Sequence, residues 1–336
     1  MRRSLFLICA LALAYACSEE NLEQTQPSVP ELVTTLSGGI DLPAEPSMSN
    51  DGTRVTIVYG SDAFHKQILW DTDATGDRGA DRIYVRSDKM TSGYALFKAT
   101  ATSDDRLSAT FTYQQGSSYV PLESGFTELF AGMFAGAIAS VPYDRNGVMW
   151  INMFGNPVHA DDGTIDKDFF PLVGYAQGSN DTGLHFRVPF GVLHIVLTAE
   201  ASDPVKLRQT RLALDPAVKP GAYLKGGMMV NARDAVSPSG NFTFTFASTN
   251  DTDDLNIVPQ QDKSYLLPTD MVSTAYRFIM PAGDYPARSL QFTVWEDDGG
   301  GGLGASKTWT LGNALTVESS HTYTLPPLVL TTAVFE

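Results

Sequence analysis

The sequence predicts an all-β fold of two consecutive β-sandwich domains, with at most one or two short helices. Three observations predict it. Short runs rich in Val, Ile, Thr, Tyr and Phe recur along the whole chain. Clusters of Gly, Asn, Asp, Pro and Ser punctuate them. Several runs alternate apolar with polar residues, the period of a strand with one buried face. The clearest is residues 241–246, where Phe242, Phe244 and Phe246 alternate with Asn and Thr.

The chain divides in order. Residues 1–16 read as a secretory signal, with Arg2 and Arg3, an apolar run and a small-residue exit. That run is too short to cross a bilayer, which takes about 20 residues. It stops at Cys17. Leu13-Ala14-Tyr15-Ala16-Cys17 resembles a bacterial lipobox, in which the cysteine sulfur receives a lipid and becomes the new N-terminus. Ala14 stands where that motif usually has Leu. Ser18-Glu19-Glu20 is similar to the acidic export tag that sends lipoproteins of Bacteroides-type bacteria to the cell exterior. Lipidation of Cys17 is the expectation, and an ordinary cleaved signal is the plainer alternative. Residues 17–30, made mostly of Ser, Glu, Asn, Gln, Thr and Pro, read as a lipidated flexible tether.

Strand-like runs begin at residues 32–40. A loop rich in Pro, Ser, Asn, Asp and Gly fills 41–52, and Thr53-Arg54-Val55-Thr56 restarts β-type sequence. Further runs lie at 68–70, 82–85, 95–99, 107–113 and 148–152. Residues 126–138 fit a helix by apolar spacing; Gly132 and Gly136 weaken it, and a strand over 129–141 fits too. Turn residues at 177–183 end the N-terminal sandwich, residues 31–183. The C-terminal sandwich, residues 184–336, opens on one long apolar strand, 184–197. Runs at 206–214, 241–246, 276–280, 290–296, 307–311 and 321–325 follow, with a hairpin turn at 297–302 and a terminal β-type run at 328–335.

Composition narrows the function. The chain of 336 residues is 43% hydrophobic, which suits folded domains. Its formal net charge of -15 argues against nucleic acid and anionic membrane as direct partners. The membrane is met only through the lipid. Cys9 and Cys17 are the two cysteines, so the body after the signal has no disulfide and no thiolate site.

Enzyme signatures are absent, and no cofactor is expected. There is no nucleophile elbow, no phosphate loop and no dinucleotide fingerprint. The five histidines form no metal-ligand pair; His185 and His194 are placed on opposite faces of the long strand. Asp71, Asp73, Asp77 and Asp81 could offer oxygens to calcium, as could Asp251, Asp253 and Asp254, but the spacing is not that of an EF-hand. Trp70, Trp150, Trp295 and Trp309 suit a sugar-stacking platform only if they share an exposed face; inside strand-like runs, core packing is the commoner outcome.

The order of features resembles the fimbrillin family of Bacteroides-type bacteria, in its Mfa-like branch. The residues that carry the resemblance are Cys17 and its tether, Thr53-Arg54-Val55-Thr56, Trp70 with the acidic turn to Asp81-Arg82-Ile83-Tyr84-Val85, Leu184-His185-Phe186-Arg187, Leu224-Lys225-Gly226, and the closing His321-Thr322-Tyr323-Thr324-Leu325. Two family glycines are replaced, by Ala80 and Ser320. The resemblance implies a surface lipoprotein and fimbrial subunit, structural or adhesive, and not an enzyme. It implies cleavage after an arginine, here Arg54, which removes the first strand. It implies a donated strand from the next subunit, with Leu328, Leu330 and Val334 of this chain as donor residues. Its partners are then a processing protease and other fimbrillin-like subunits in a homo- or hetero-polymer, and its place is the outer membrane surface, or a fimbrium once cut. A non-polymerising lipoprotein that binds glycan is the competing expectation.

Overall fold

The computed structural model describes residues 31–41, 56–57, 69–72, 80–134, 140–153, 158–159, 171–178, 183–220, 222–246, 254–259, 265–266 and 275–335. The fold is all-β. The first strands are β1 (Thr35–Ile40), β2 (Thr56–Ile57), β3 (Arg82–Ser87), β4 (Ala95–Thr102), β5 (Ser108–Tyr113), β6 (Glu128–Phe134), β7 (Ser140–Pro142) and β8 (Val148–Met153). Then come β9 (Val158–His159), β10 (Val173–Gln177), β11 (Gly183–Arg187), β12 (Phe190–Ala199), β13 (Lys206–Leu214), β14 (Gly226–Asn231), β15 (Thr245–Phe246) and β16 (Asp254–Pro259). The last are β17 (Tyr265–Leu266), β18 (Ala275–Pro281), β19 (Gly283–Tyr285), β20 (Leu290–Asp297), β21 (Leu303–Thr310), β22 (Leu315–Val317), β23 (Thr322–Thr324) and β24 (Leu328–Leu330). Among the described residues, helix is confined to 3-10 turns at Ala232–Val236 and Thr332–Val334.

Seven strands close into a barrel in the order β1-β11-β10-β6-β3-β4-β5, with β5 returning to β1. Closure leaves no free sheet edge. All neighbours are antiparallel except β1 and β11, which run parallel. Leu36, Ile83, Val85, Phe97, Phe111, Leu129 and Phe186 are buried with almost no exposure.

The ambiguous segment at 126–138 is strand β6, not helix. It lies between β3 and β10 in the barrel wall. Its register with β3 sends Leu129, Ala131 and Met133 inward with Val85 and Ile83, and turns Phe130 and Gly132 outward. The sheet β15-β14-β8-β7 covers that outer side. A Cβ on Gly132 would stand 2.1 Å from the Ser140 carbonyl oxygen, so the glycine permits the layers to meet. With both faces covered, the strand shows no period-two pattern, and this made the helix reading attractive.

Two side chains bind these layers. Ser140 Oγ accepts from the Met133 amide at 2.9 Å and donates to the Leu172 carbonyl at 2.6 Å. The buried Arg86 of β3 donates to the carbonyls of Tyr143, Met90 and Thr91 at 2.8, 3.2 and 3.0 Å.

A second core gathers Leu193, Ile195, Leu212, Phe278, Phe292 and Leu330 from β12, β13, β18, β20 and β24. The two cores do not follow one cut in the chain. The expected boundary at 183/184 falls at the start of β11, which still belongs to the barrel. Met228, Val230, Ala232, Ala235 and Phe242 also pack into the first core.

The long strand expected over 184–197 is two strands. Pro189 carries no N–H for a ladder, and the chain passes there from β11 to β12. His185 and His194 therefore sit in different sheets, not on opposite faces of one strand. Residues 241–246 also differ from expectation, since only Thr245–Phe246 joins a ladder. The amides of Phe242 and Thr243 go instead to Ser319 Oγ (3.2 Å) and Asp234 Oδ2 (3.4 Å). The hairpin turn at 297–302 is present between β20 and β21. There Asp297 and Asp298 accept hydrogen bonds from the amides of Gly299, Gly300 and Gly302.

Candidate functional site

The seam closed by β1 is the place where a strand could be exchanged. Its sequence, Thr-Leu-Ser-Gly-Gly-Ile, alternates so that Leu36, Gly38 and Ile40 are buried while Ser37 is exposed. One edge pairs antiparallel with β5 from Thr35↔Thr112 to Gly39↔Ser108. The other pairs parallel with β11 from Ser37↔Gly183 to Ile40↔Phe186. Flanking bonds extend the seam: Ile40 N–H to Leu107 O beside β5, Asp41 N–H to Phe186 O of β11, and Val33 N–H to Leu122 O of a separate segment, each 2.8 Å. Burial of Leu36 and Ile40 stabilises the seam by about 2 kcal/mol each. Without β1, two rows of backbone groups and an apolar groove would meet water, and another extended segment could satisfy both.

The groove has a particular shape. Trp70 is wholly buried and packs edge-on against Phe111 (4.9 Å between centroids) and Phe186 (5.0 Å). Its carbonyl accepts from Arg106 Nε at 2.7 Å, which holds the segment against the barrel. The Phe186 ring fills the space beside two glycines. A Cβ on Gly38 would stand 2.7 Å from Phe186 Cε2, and one on Gly174 would stand 2.5 Å from its Cε1. Two glycines on different strands thus frame one ring. The 32–40 run was legible as a strand, but this requirement was not identified from the sequence; the signal for it is Gly38-Gly39 inside an apolar run.

At the exit of β1, Asp41 Oδ2 lies 3.2 Å from His185 Nδ1. The chain next enters the described residues at β2, which pairs antiparallel with β23 through Thr56↔Thr324 and Ile57↔Tyr323. The strand β1 is therefore part of the barrel, and β2 is part of the sheet that carries β12 and β23. Arg54 falls between them but outside the described residues, as does Cys17.

The expected donor residues lie at the other end. Leu328 and Leu330 belong to β24, which runs parallel to β12 through Leu197↔Leu328 and Ala199↔Leu330. The β-type run stops there, and Val334 ends a 3-10 turn packed against the second core. Asp203 Oδ2 accepts from Thr332 N–H at 2.7 Å and Oγ1 at 3.0 Å, which pins that turn. Leu330 is fully buried, while Val329 is 48% exposed. Leu328 borders an apolar cleft of about 250 Å³ shared with Phe292, Trp309 and Leu325.

A charged clasp ties the barrel to the 3-10 turn at Ala232–Val236. Arg233 donates through Nε and Nη2 to the two oxygens of Glu128, at 2.6 and 2.5 Å, and Tyr175 Oη donates to Glu128 at 2.8 Å. The Arg233 hydrogen bonds hold the Glu128 carboxyl below its usual range, against the opposing effect of burial. Burial, then the bond to Glu128, push the Tyr175 phenol up to about 12.

Other expected sites do not converge. Trp70 is in the core. Trp309 stacks on the inward Phe292, whereas Trp295, three residues along from Phe292 in β20, faces the other way with Arg211 over its ring at 5.2 Å. Trp150 lies in another sheet beside Tyr143. No two tryptophans make a shared platform. Asp81 accepts from the Asp71 amide at 2.7 Å, and Asp71 lies 3.3 Å from Arg106, so both serve the turn. Among the described residues no three His, Cys, Asp or Glu side chains gather as a metal site. The histidines with described side chains bond to neighbours in the fold: His185 to Asp41 at 3.2 Å, His194 to Thr324 Oγ1 at 3.1 Å and His321 Nδ1 to the Ser319 carbonyl at 2.6 Å.

No protein-family model matches the chain, and no curated protein does. Solved structures do match. A candidate cell adhesion protein from Bacteroides ovatus is 13% identical, with 92% of this chain and 95% of that chain covered at a TM-score of 0.49. Another from Bacteroides uniformis is 13% identical, with 90% and 94% covered at 0.44. A fimbrial protein from Bacteroides vulgatus is 13% identical, with 90% and 97% covered at 0.35.

Proposed function

We propose that this chain is a surface lipoprotein and fimbrial subunit, structural or adhesive and not enzymatic, that assembles by strand exchange at the β1 seam. Lipidation at Cys17 carries it to the outer membrane surface. A protease then cuts after Arg54, and β1 leaves with the lipid. A strand from another subunit takes its place. The tail residues Leu328, Leu330 and Val334 serve in turn as donor to a neighbour.

One observation carries the reading. Consecutive strands β1 and β2 belong to different sheets, and Arg54 lies in the connection between them. A cut there separates β1 from the rest of the chain, while β2 keeps the new N-terminus paired with β23. The sequence resemblance supplies the arginine and the lipid.

The test is proteolysis of the purified precursor. An Arg-specific protease should separate the N-terminal segment from the fold, and the opened chain should then form hetero-oligomers on size-exclusion chromatography once a second fimbrial subunit is added. Quantitative cleavage that leaves a stable monomer with β1 still bound would sink the proposal. Labelling cells with a radioactive fatty acid should mark the wild type and not Cys17→Ala.

A further inference from the structure

Resting on the strand-exchange reading, we propose that the groove left by β1 is gated by glycine. It accepts an extended segment of a different subunit, with the inward pattern large apolar, glycine, large apolar. It rejects this chain's own C-terminal tail.

The gate is steric. The inward residues of β1 are Leu36, Gly38 and Ile40. A Cβ at position 38 would lie 2.7 and 3.2 Å from Phe186 Cε2 and Cδ2, and 3.3 Å from Phe111 Cε2. The first distance is one that real Cβ contacts do not tolerate, so Phe186 would have to move. It has nowhere to go. On its other edge stands Gly174, whose own added Cβ would lie 2.5 to 2.9 Å from the ring. Trp70 closes on it at 5.0 Å and 77°, and Phe111 at 6.3 Å. Nothing comparable restrains Gly39, where an added Cβ meets only the Leu107 carbonyl at 4.0 Å. Of the two adjacent glycines, one is a requirement of the groove.

The tail does not meet it. No glycine follows Gly312. Alternate residues Leu328-Leu330-Thr332 place a leucine at the centre, and Leu330-Thr332-Val334 place a threonine. The smallest centre available is Ala333, between Thr331 and Phe335, and its methyl group is the Cβ that the groove has no room for. Residues 328–335 of one copy therefore do not fill the groove of another. The subunit sits at a junction between unlike chains, accepting a glycine-bearing strand while its own tail goes to some other barrel.

Peptide binding to the cleaved full-length chain tests this. The released segment is washed away in mild urea, and fluorescence anisotropy follows three labelled peptides. These are residues 32–41, the same peptide with Gly38→Ala, and residues 327–336. The first should bind, the second should bind about tenfold more weakly or worse, and the tail should not bind. On a Phe186→Leu chain the alanine penalty should shrink. Tail binding close to that of the 32–41 peptide, or equal binding of the glycine and alanine peptides, overturns the gate alone. An alanine penalty unchanged by Phe186→Leu puts its cause elsewhere and also overturns it. Failure of the 32–41 peptide itself to bind overturns the exchange reading, and the gate with it.

Discussion

Two strands near the ends of the described fold, β1 and β24, have the same kind of neighbour and different prospects. Each runs parallel to a strand from mid-chain, β1 beside β11 and β24 beside β12. The first is also paired with β5 along its other edge, which closes the barrel. Among the described residues the second has β12 alone. Inside, β1 meets rings on every side; β24 buries Leu330 but leaves Leu328 at the rim of an open cleft. The contrast separates two ways of holding a strand. A strand inside a closed ring leaves only when its covalent link is cut and both ladders open together. A strand paired along one edge can peel off by losing its own contacts, a small-scale opening of the kind that hydrogen exchange detects. The two strands are thus distinguished by closure, not by sequence polarity.

The largest test of that contrast is Phe186→Ala. It removes the ring that Gly38, Gly174, Trp70 and Phe111 enclose, and should cost about 3–5 kcal/mol in urea unfolding. Leu330→Ala in the tail should cost about 2–4 kcal/mol, since its side chain is equally buried but its surroundings can collapse into the neighbouring cleft. The comparison breaks if the tail variant is the more damaging of the two. Hydrogen exchange adds to it. Amides of β24 should exchange well before those of β1, and equal protection would mean that the tail is no readier to leave than the seam. Gly38→Ala in the intact chain comes next, at about 1–3 kcal/mol, with Gly39→Ala nearly neutral beside it.

Much of this was legible in the sequence. Strand runs such as 82–85, 107–113 and 148–152 announced themselves by β-branched and aromatic content, and the 297–302 turn by its Asp and Gly residues. What was not legible depended on long-range layers. Residues 126–138 read as helix or strand because β6 is covered on both faces, which erases alternation. Residues 241–246 alternate strictly yet find almost no ladder, because alternation records which face is buried and not which edge is paired. The break at Pro189 was visible as a proline, but the apolar run across it masked the change of sheet. At the seam, the strand was readable and the glycine gate was not. A glycine says that something comes close; only the fold says that the something is Phe186.

The smallest effect expected is electrostatic, and it should fall on the barrel side of the comparison. Glu128 of β6 is clasped by Arg233 and Tyr175, and those bonds place its folded pKa below the unfolded value of about 4.3. A depressed carboxyl contributes stability that is fully present above the unfolded pKa. It is lost as pH falls through the folded pKa. Glu128→Gln should therefore lower stability near pH 7 by about 1 kcal/mol, because it keeps some hydrogen bonding and discards the ion pair. In acid below the folded pKa of Glu128 the two proteins should converge, since the wild-type carboxyl is then neutral as well. Urea midpoints at the two pH values check this, and a gap that persists in acid would assign the loss to packing. Exchange measured alongside should show the variant loosening β6 and β10 while the protection of β24 on β12 is unchanged. The clasp spans the barrel and the 3-10 turn at Ala232–Val236 and does not touch the tail. A change confined to β24 would mean that the two strands are coupled, and that opening one end of the molecule is felt at the other.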